Sequence, residues 1–341
     1  MPALEGRHLQ ARRESKGIDF PKCVCRSKEI NFQDSHNSQM LCREGSSLSG
    51  RLRAVLKVVG VFLMLTGIWT LYRVWSAHLI ISDGMLDWRM FFITQIAFQP
   101  LLALLPILFI VRYVEKRSVG SIGLSRQRFF RNALFGIFLS LFMTIIAACL
   151  ESILLFLSGN EPLTFAANPE SLGLVSIVLM PLTFFLAVGP SEEIQDRGYF
   201  QTRLLEHFGP RFSVVFPSLL FALSHIPIDI VIWRYDVWTM SFHLAWVFVT
   251  SCILGYLYYK SGVLTGPIFL HAFGDTQSLA YQFSFNYENV GLVALFGIEG
   301  TVWTVVTILA FLLVRSLTSK LGLRVKNLPW ETKVPNKEGN A

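Results

Sequence analysis

Apolar residues run along most of this chain in stretches close to the ~20 residues a helix needs to cross a bilayer. Eight such stretches can be drawn, at roughly 54–73, 90–112, 133–157, 171–196, 211–227, 239–259, 262–282 and 290–314. The pattern predicts an all-α fold, a polytopic transmembrane helical bundle of about eight spans. The fifth stretch is short. Gly266-Pro267 is expected to break the seventh, which is tolerated at membrane depth where the backbone lines a protein cavity. Residues 1–53 are polar and lack the apolar core of a signal peptide, so a flexible N-terminal tail is expected there. The helical domain then fills 54–315, and a second tail covers 316–341. No internal repeat or second folded domain is evident.

The connections alternate in charge. Arg112, Lys116, Arg117, Arg126, Arg128 and Arg131 lie between the second and third spans, and Arg197, Arg203 and Arg211 between the fourth and fifth. Lys260 ends the sixth span, and Arg315, Lys320, Arg324 and Lys326 follow the eighth. The opposite connections are nearly bare: 158–171 and 276–289 contain no Lys or Arg, and 227–240 contains only Arg234. This asymmetry predicts a multi-pass protein, such as one of the cell membrane, with both termini cytoplasmic. Eight spans require termini on one side, so the two readings agree. The segment 117–132 sets basic residues beside Phe129 and Phe130; it reads equally as an interfacial element or an ordinary basic loop.

Composition sharpens this picture. The chain of 341 residues is 52% hydrophobic and only 16% charged, well below the quarter usual in soluble domains. The formal net charge of +7 suits contact with anionic membrane lipid, and no basic stripe with interleaved aromatics points to nucleic acid. Among the five cysteines, Cys23-Val-Cys25 with a distant Cys42 is poor zinc spacing, and Cys149 and Cys252 lie in apolar runs.

Ionisable groups inside a membrane are costly, and three clusters stand out. Residues 189–198 read GPSEEIQDRG, 221–225 read FALSH and 271–275 read HAFGD. Gly189-Pro190 is expected to end one helical piece and begin another, with Glu192 and Glu193 near a helix N-terminus. Glu193 and Arg197 are four apart and pair on one face, which leaves Glu192 free to act. His271 and Asp275 share a face by the same spacing. A hairpin turning near Gly209-Pro210 puts Glu193 and His225 each ~24 Å from the turn, and so at one depth. His271 lies only ~15 Å beyond the Ser261-Gly262 turn, a mismatch that a tilt, a kink or a protruding hairpin has to absorb. A carboxylate with histidines suits hydrolysis: the carboxylate takes a proton from water, one His holds the water or a metal, and another donor stabilises the oxyanion.

Glu192-Glu193-Ile-Gln-Asp-Arg197 matches EExxxR, Phe221-Ala-Leu-Ser-His225 matches FxxxH, and His271-Ala-Phe-Gly-Asp275 matches Hxxx(N/D). In this order on apolar segments, they resemble the CAAX protease and bacteriocin-processing family of intramembrane endopeptidases, in particular its type II CAAX prenyl proteases. The resemblance covers roughly residues 120–315. It implies Glu192 as the base, sharing a water or metal with His225, with His271 and Asp275 completing the site and Glu193 and Arg197 bracing it. It implies either a divalent metal such as zinc, held by Glu192, His225 and His271, or a metal-free glutamate mechanism. A protein or lipidated peptide would be the substrate. Asp275 stands where the prenyl proteases carry Asn, and an ionised Asp cannot donate to an oxyanion, although it can orient His271, bind metal or act protonated.

Other intramembrane proteases match less well. HExxH is missing, as is a Gly-x-Ser-Gly nucleophile motif. Tyr235-Asp236 with Ala-Phe-Gly-Asp275 is weakly similar to the aspartyl type, but Ala272 stands where that motif needs Gly. Two alternatives come from outside catalysis. One is a silent peptide binder of the bacteriocin-immunity kind, which lacks chemistry. The other is a proton-coupled transporter, for which inverted repeats would be the signature.

Overall fold

The computed structural model describes residues 48–331 except 83–84, 160–163, 168–173 and 285–291. The N-terminal tail, apart from its last residues, lies outside the described residues together with Cys23, Cys25 and Cys42. So does the chain beyond 331. The apolar stretches fold as helices: α1 (Leu48–Ile80), α2 (Trp88–Val114), α3 (Phe129–Leu157), α4 (174–205), α5 (Pro210–Trp233), α6 (Val237–Ser261), α7 (Thr265–Ala280) and α8 (Leu292–Lys320). Two short antiparallel ladders join their ends, β1 (Ile81–Ser82) with β2 (Met85–Leu86) and β3 (Thr164–Ala167) with β4 (Tyr281–Ser284). The molecule is a polytopic helical bundle.

Six of these helices are long and apolar enough to cross a membrane: α1, α2, α3, α5, α6 and α8 over Gly297–Lys320. The other two, α4 and α7, carry EExxxR and Hxxx(N/D). Their polar load and the 16-residue length of α7 set them apart. Leu63, Leu71, Leu101, Phe109, Leu134, Ile145, Leu219 and Leu312 are exposed on the outer helices. So much exposed apolar surface is abnormal for a soluble protein and normal against lipid tails.

Close helix contact fixes α7. A Cβ at Gly136 on α3 would lie 2.4 Å from the Gly266 carbonyl oxygen and 2.9 Å from the Leu270 nitrogen, so only glycine permits this crossing. Gly266 and Pro267 fall in the first turn of α7, where proline needs no N–H partner. They start the helix; they do not break it, as the sequence reading had it. Behind α7, Phe135, Leu139, Ile253, Leu254, Leu257, Leu270, Val302 and Val306 form one buried cluster. Val58, Phe62, Leu65, Ile107, Tyr199, Phe200, Leu204 and Tyr258 form another, toward α1 and α2.

Gly189-Pro190 likewise does not separate two helices. Helix α4 is continuous, with π-type turns at Thr183–Val188 and Ile194–Gln201 on either side of an α-helical piece, Gly189–Glu193. The missing N–H of Pro190 is absorbed by a change of helical register, so Glu192 does not sit at a free helix N-terminus. Pairing of Glu193 with Arg197 survives this change.

Most of the basic connections meet at one end of the bundle. Arg203 pairs with Glu115 at 2.7 Å and with Glu206 at 3.0 Å, Arg117 also reaches Glu206, and Lys57 reaches Glu115. Burial alone would raise the Glu115 carboxyl, but Arg203 and Lys57 outweigh it and hold the group below its ordinary value. The chain after α8 folds back onto this end: Val325 N–H donates to the Ser261 carbonyl at 2.9 Å, and Leu323, Val325, Leu328 and Trp330 are buried. Gly262, at φ +79°, would carry a Cβ 2.6 Å from Leu328. Val263 and Leu264 are consequently sealed, and α7 starts below the surface. In 117–132, Ser121 and Ile122 are buried in a 3-10 turn while Phe129 and Phe130 are exposed at the start of α3, so each reading fits only half of the segment.

Candidate active site

The motif residues converge between α4, α5 and α7. Arg197 Nη1 donates to Glu193 Oε1 at 2.8 Å, and its Nη2 donates to Ser251 Oγ at 2.7 Å and to the Ser251 carbonyl at 3.2 Å. The guanidinium also lies over the Phe221 ring, 4.8 Å from its centroid. His271 Nδ1 is 2.7 Å from the same Glu193 oxygen. A carboxylate paired with Arg197 is an acceptor, so Nδ1 carries the hydrogen and donates. Glu193 thus ties α4 to α7, and Arg197 ties α4 to α6.

His271 Nε2 faces Glu192 Oε2 at 3.7 Å and Asp275 Oδ2 at 3.4 Å. Glu193 is fully buried, while the Glu192 side chain is 22% exposed, so of the two only Glu192 can meet a substrate and water. Gln99 Nε2 on α2 donates to Glu192 Oε1 at 3.1 Å. His225 sits at a bend in α5, with Nδ1 2.9 Å from the Phe221 carbonyl. A carbonyl only accepts, so Nδ1–H donates, and in the neutral ring Nε2 is then an acceptor.

Glu192 and His225 line one cleft of about 80 Å³, together with Arg73, Gln99, Gln195, Asp196 and Phe221. His271 and Asp275 stand behind Glu192 on α7. Several lining residues went unnoticed in the sequence. Arg73 and Gln99 come from α1 and α2, and Asp196 lies within EExxxR itself, 1% exposed with no protein partner on Oδ1. Next to the cleft, Asp229 Oδ2 and His243 Nδ1 are 2.9 Å apart, and the His243 ring lies 5.8 Å from that of His225. His243 was legible as an ionisable residue in an apolar span.

Among the described residues, no group of three His, Cys, Asp or Glu side chains is arranged to hold a metal ion. Of the trio Glu192, His225 and His271, the last has one ring nitrogen committed to Glu193 and the other facing two carboxylates. That donor set does not fit a preformed zinc centre.

Residues 174–276 match the family model for type II CAAX prenyl endopeptidase Rce1-like proteins. No curated protein and no solved structure matches the chain. The matched segment holds all three motifs and the helices that bring them together, and over that segment the chain is similar to the type II CAAX prenyl endopeptidases.

Proposed function

We propose that the chain cleaves a peptide bond of lipidated, CAAX-type substrates, with Glu192 as the general base. The observation that carries this reading is the shared cleft of Glu192 and His225, backed by a buried Glu193–Arg197–His271 brace. A water between Glu192 and His225 meets two acceptors, a carboxylate oxygen and the unprotonated Nε2. Its hydrogens are held, and a lone pair is left to face the substrate carbonyl. Glu192 takes one proton as the water oxygen bonds to the carbonyl carbon. It returns that proton to the amine nitrogen as the C–N bond breaks. Gln99 fixes the Glu192 carboxylate through Oε1, and Asp275 orients His271.

The basic end is assigned to the cytoplasm, in keeping with the Lys/Arg asymmetry of the connections. The chemistry is tested with purified protein in nanodiscs and an S-farnesylated peptide with a CAAX terminus. Release of the terminal tripeptide by the wild type, and its loss in Glu192→Gln, is the expected result. Cleavage by Glu192→Gln at the wild-type rate would sink the reading. Inhibition by a chelator, reversed by added zinc, would show instead that a metal completes the site when bound.

A further inference from the structure

The cleft contains a buried cation that the proposed chemistry does not use. Arg73 on α1 is 8% exposed, and its Nη2 donates to Gln95 Oε1 at 3.2 Å. Its guanidinium lies 5.0 Å from the Trp69 ring centroid and 5.9 Å from that of Phe91, so aromatic faces hold it in place. Nη1 is buried and has no protein partner. Arg73 and Glu192 line the same cleft, yet they form no ion pair within 4.0 Å. A guanidinium fixed on three sides, with a donor left over beside a hydrolytic carboxylate, is built to receive an anion.

We infer that Arg73, held by Gln95, binds the free α-carboxylate of the substrate, so that the enzyme measures its cut from the substrate's C-terminus. This rests on the endopeptidase reading above and adds to it the feature of the peptide that is read. A planar carboxylate suits the fork of an arginine, and burial makes the pair selective, because a C-terminal amide would leave the guanidinium without its counter-charge. Glu192 makes no pair with Arg73 because the substrate carboxylate, and not the base, satisfies the guanidinium. The residue lies outside the matched segment 174–276, so the specificity comes from a helix beyond that segment.

The test compares two S-farnesylated CAAX peptides, one ending in the free acid and one in the amide. Binding is measured to Glu192→Gln in nanodiscs, and turnover is measured with the wild type. The acid should bind roughly tenfold to hundredfold tighter, the range expected for one hydrogen bond to a charged group. Arg73→Gln, made in the Glu192→Gln background, should bring that ratio to near one. Gln95→Glu offers Arg73 a carboxylate of its own. It should also collapse the ratio while keeping the guanidinium in place, which covers the case in which Arg73→Gln does not fold. In turnover the acid preference should appear mainly in KM. Equal binding of the two peptides, or no binding of the acid, overturns the subsite. So does a Gln95→Glu variant that keeps the full acid preference. If the acid is bound selectively but never cut, the carboxylate site stands and the endopeptidase reading falls.

Discussion

Two clusters of charge, one at the basic end and one around Glu192, are both built around glutamates and arginines and differ in how they are balanced. At the basic end, Glu115 and Glu206 are contacted by Arg203, Arg117 and Lys57, so each carboxylate has at least two cationic neighbours. Around the cleft, Glu192, Glu193, Asp196 and Asp275 gather about Arg197, Arg73 and His271, and polar atoms of Glu193, Asp196 and Arg73 have no protein partner. The first arrangement is closed and its value is structural. The second holds buried polar atoms unsatisfied, which a protein of marginal stability tolerates chiefly where a ligand or water will meet them.

The contrast can be broken most forcefully at Glu192. Glu192→Gln should reduce cleavage by about 10²–10⁴, the usual contribution of a general base. Its melting temperature in detergent should match the wild type, because Glu192 closes no ion pair with a cation other than His271. Glu193→Gln reverses the pattern. It leaves Arg197 buried at 2% exposure without its carboxylate, a loss of about 3–5 kcal/mol. A large fall in melting temperature and in yield should result, and an unaltered melt would put Glu193 on the chemical side of the contrast.

Asp275→Asn separates orientation from donation. If Asp275 holds His271 through the 3.4 Å contact, Asn lowers kcat and leaves KM near its wild-type value. A rise in kcat would assign position 275 to the oxyanion instead.

The basic end predicts an acid limit. Because the Glu115 carboxyl is held below its ordinary value, its stabilising share is fully present above that ordinary value and is lost as pH falls through the lowered one. Melting temperature measured down an acid series should drop in the wild type and drop less steeply in Glu115→Gln. The smallest effect belongs to Lys57→Ala. That side chain is 45% exposed, and its pairing should be worth no more than about 1 kcal/mol. A larger change in the melt would mean that the network acts as a unit.

How far the sequence spoke depended on the kind of signal. Apolar runs located eight helices, six of them long and apolar enough to cross a membrane, because hydrophobic length is a local property. The motif spacings put Glu193 with Arg197 and His271 with Asp275, since both pairs lie one turn apart. Gln99 was illegible: it bears no charge, and its contact with Glu192 spans 93 positions. Arg73 stood at the end of a predicted span, where an arginine ordinarily marks the interface and not a cleft. The fold-back of 321–331 was missed for a similar reason, because Arg324 and Lys326 made that stretch look like a charged tail although Leu323, Val325 and Leu328 alternate with them into the core.

The π-type turns of α4 give this helix a setting that can be dialled. Each such turn holds an extra residue, so everything past Thr183–Val188 is rotated relative to a plain α-helix. Removing one residue there, for example Leu186, which is exposed, would let the turn close to a plain α-helix with the downstream faces kept, whereas adding one would turn the downstream helix by about 100°. Glu192 and Glu193 would change faces together, the proposed base would point where the brace now points, and the motif would survive letter for letter with nothing left to cut. In this helix the count of residues before the motif matters as much as the motif.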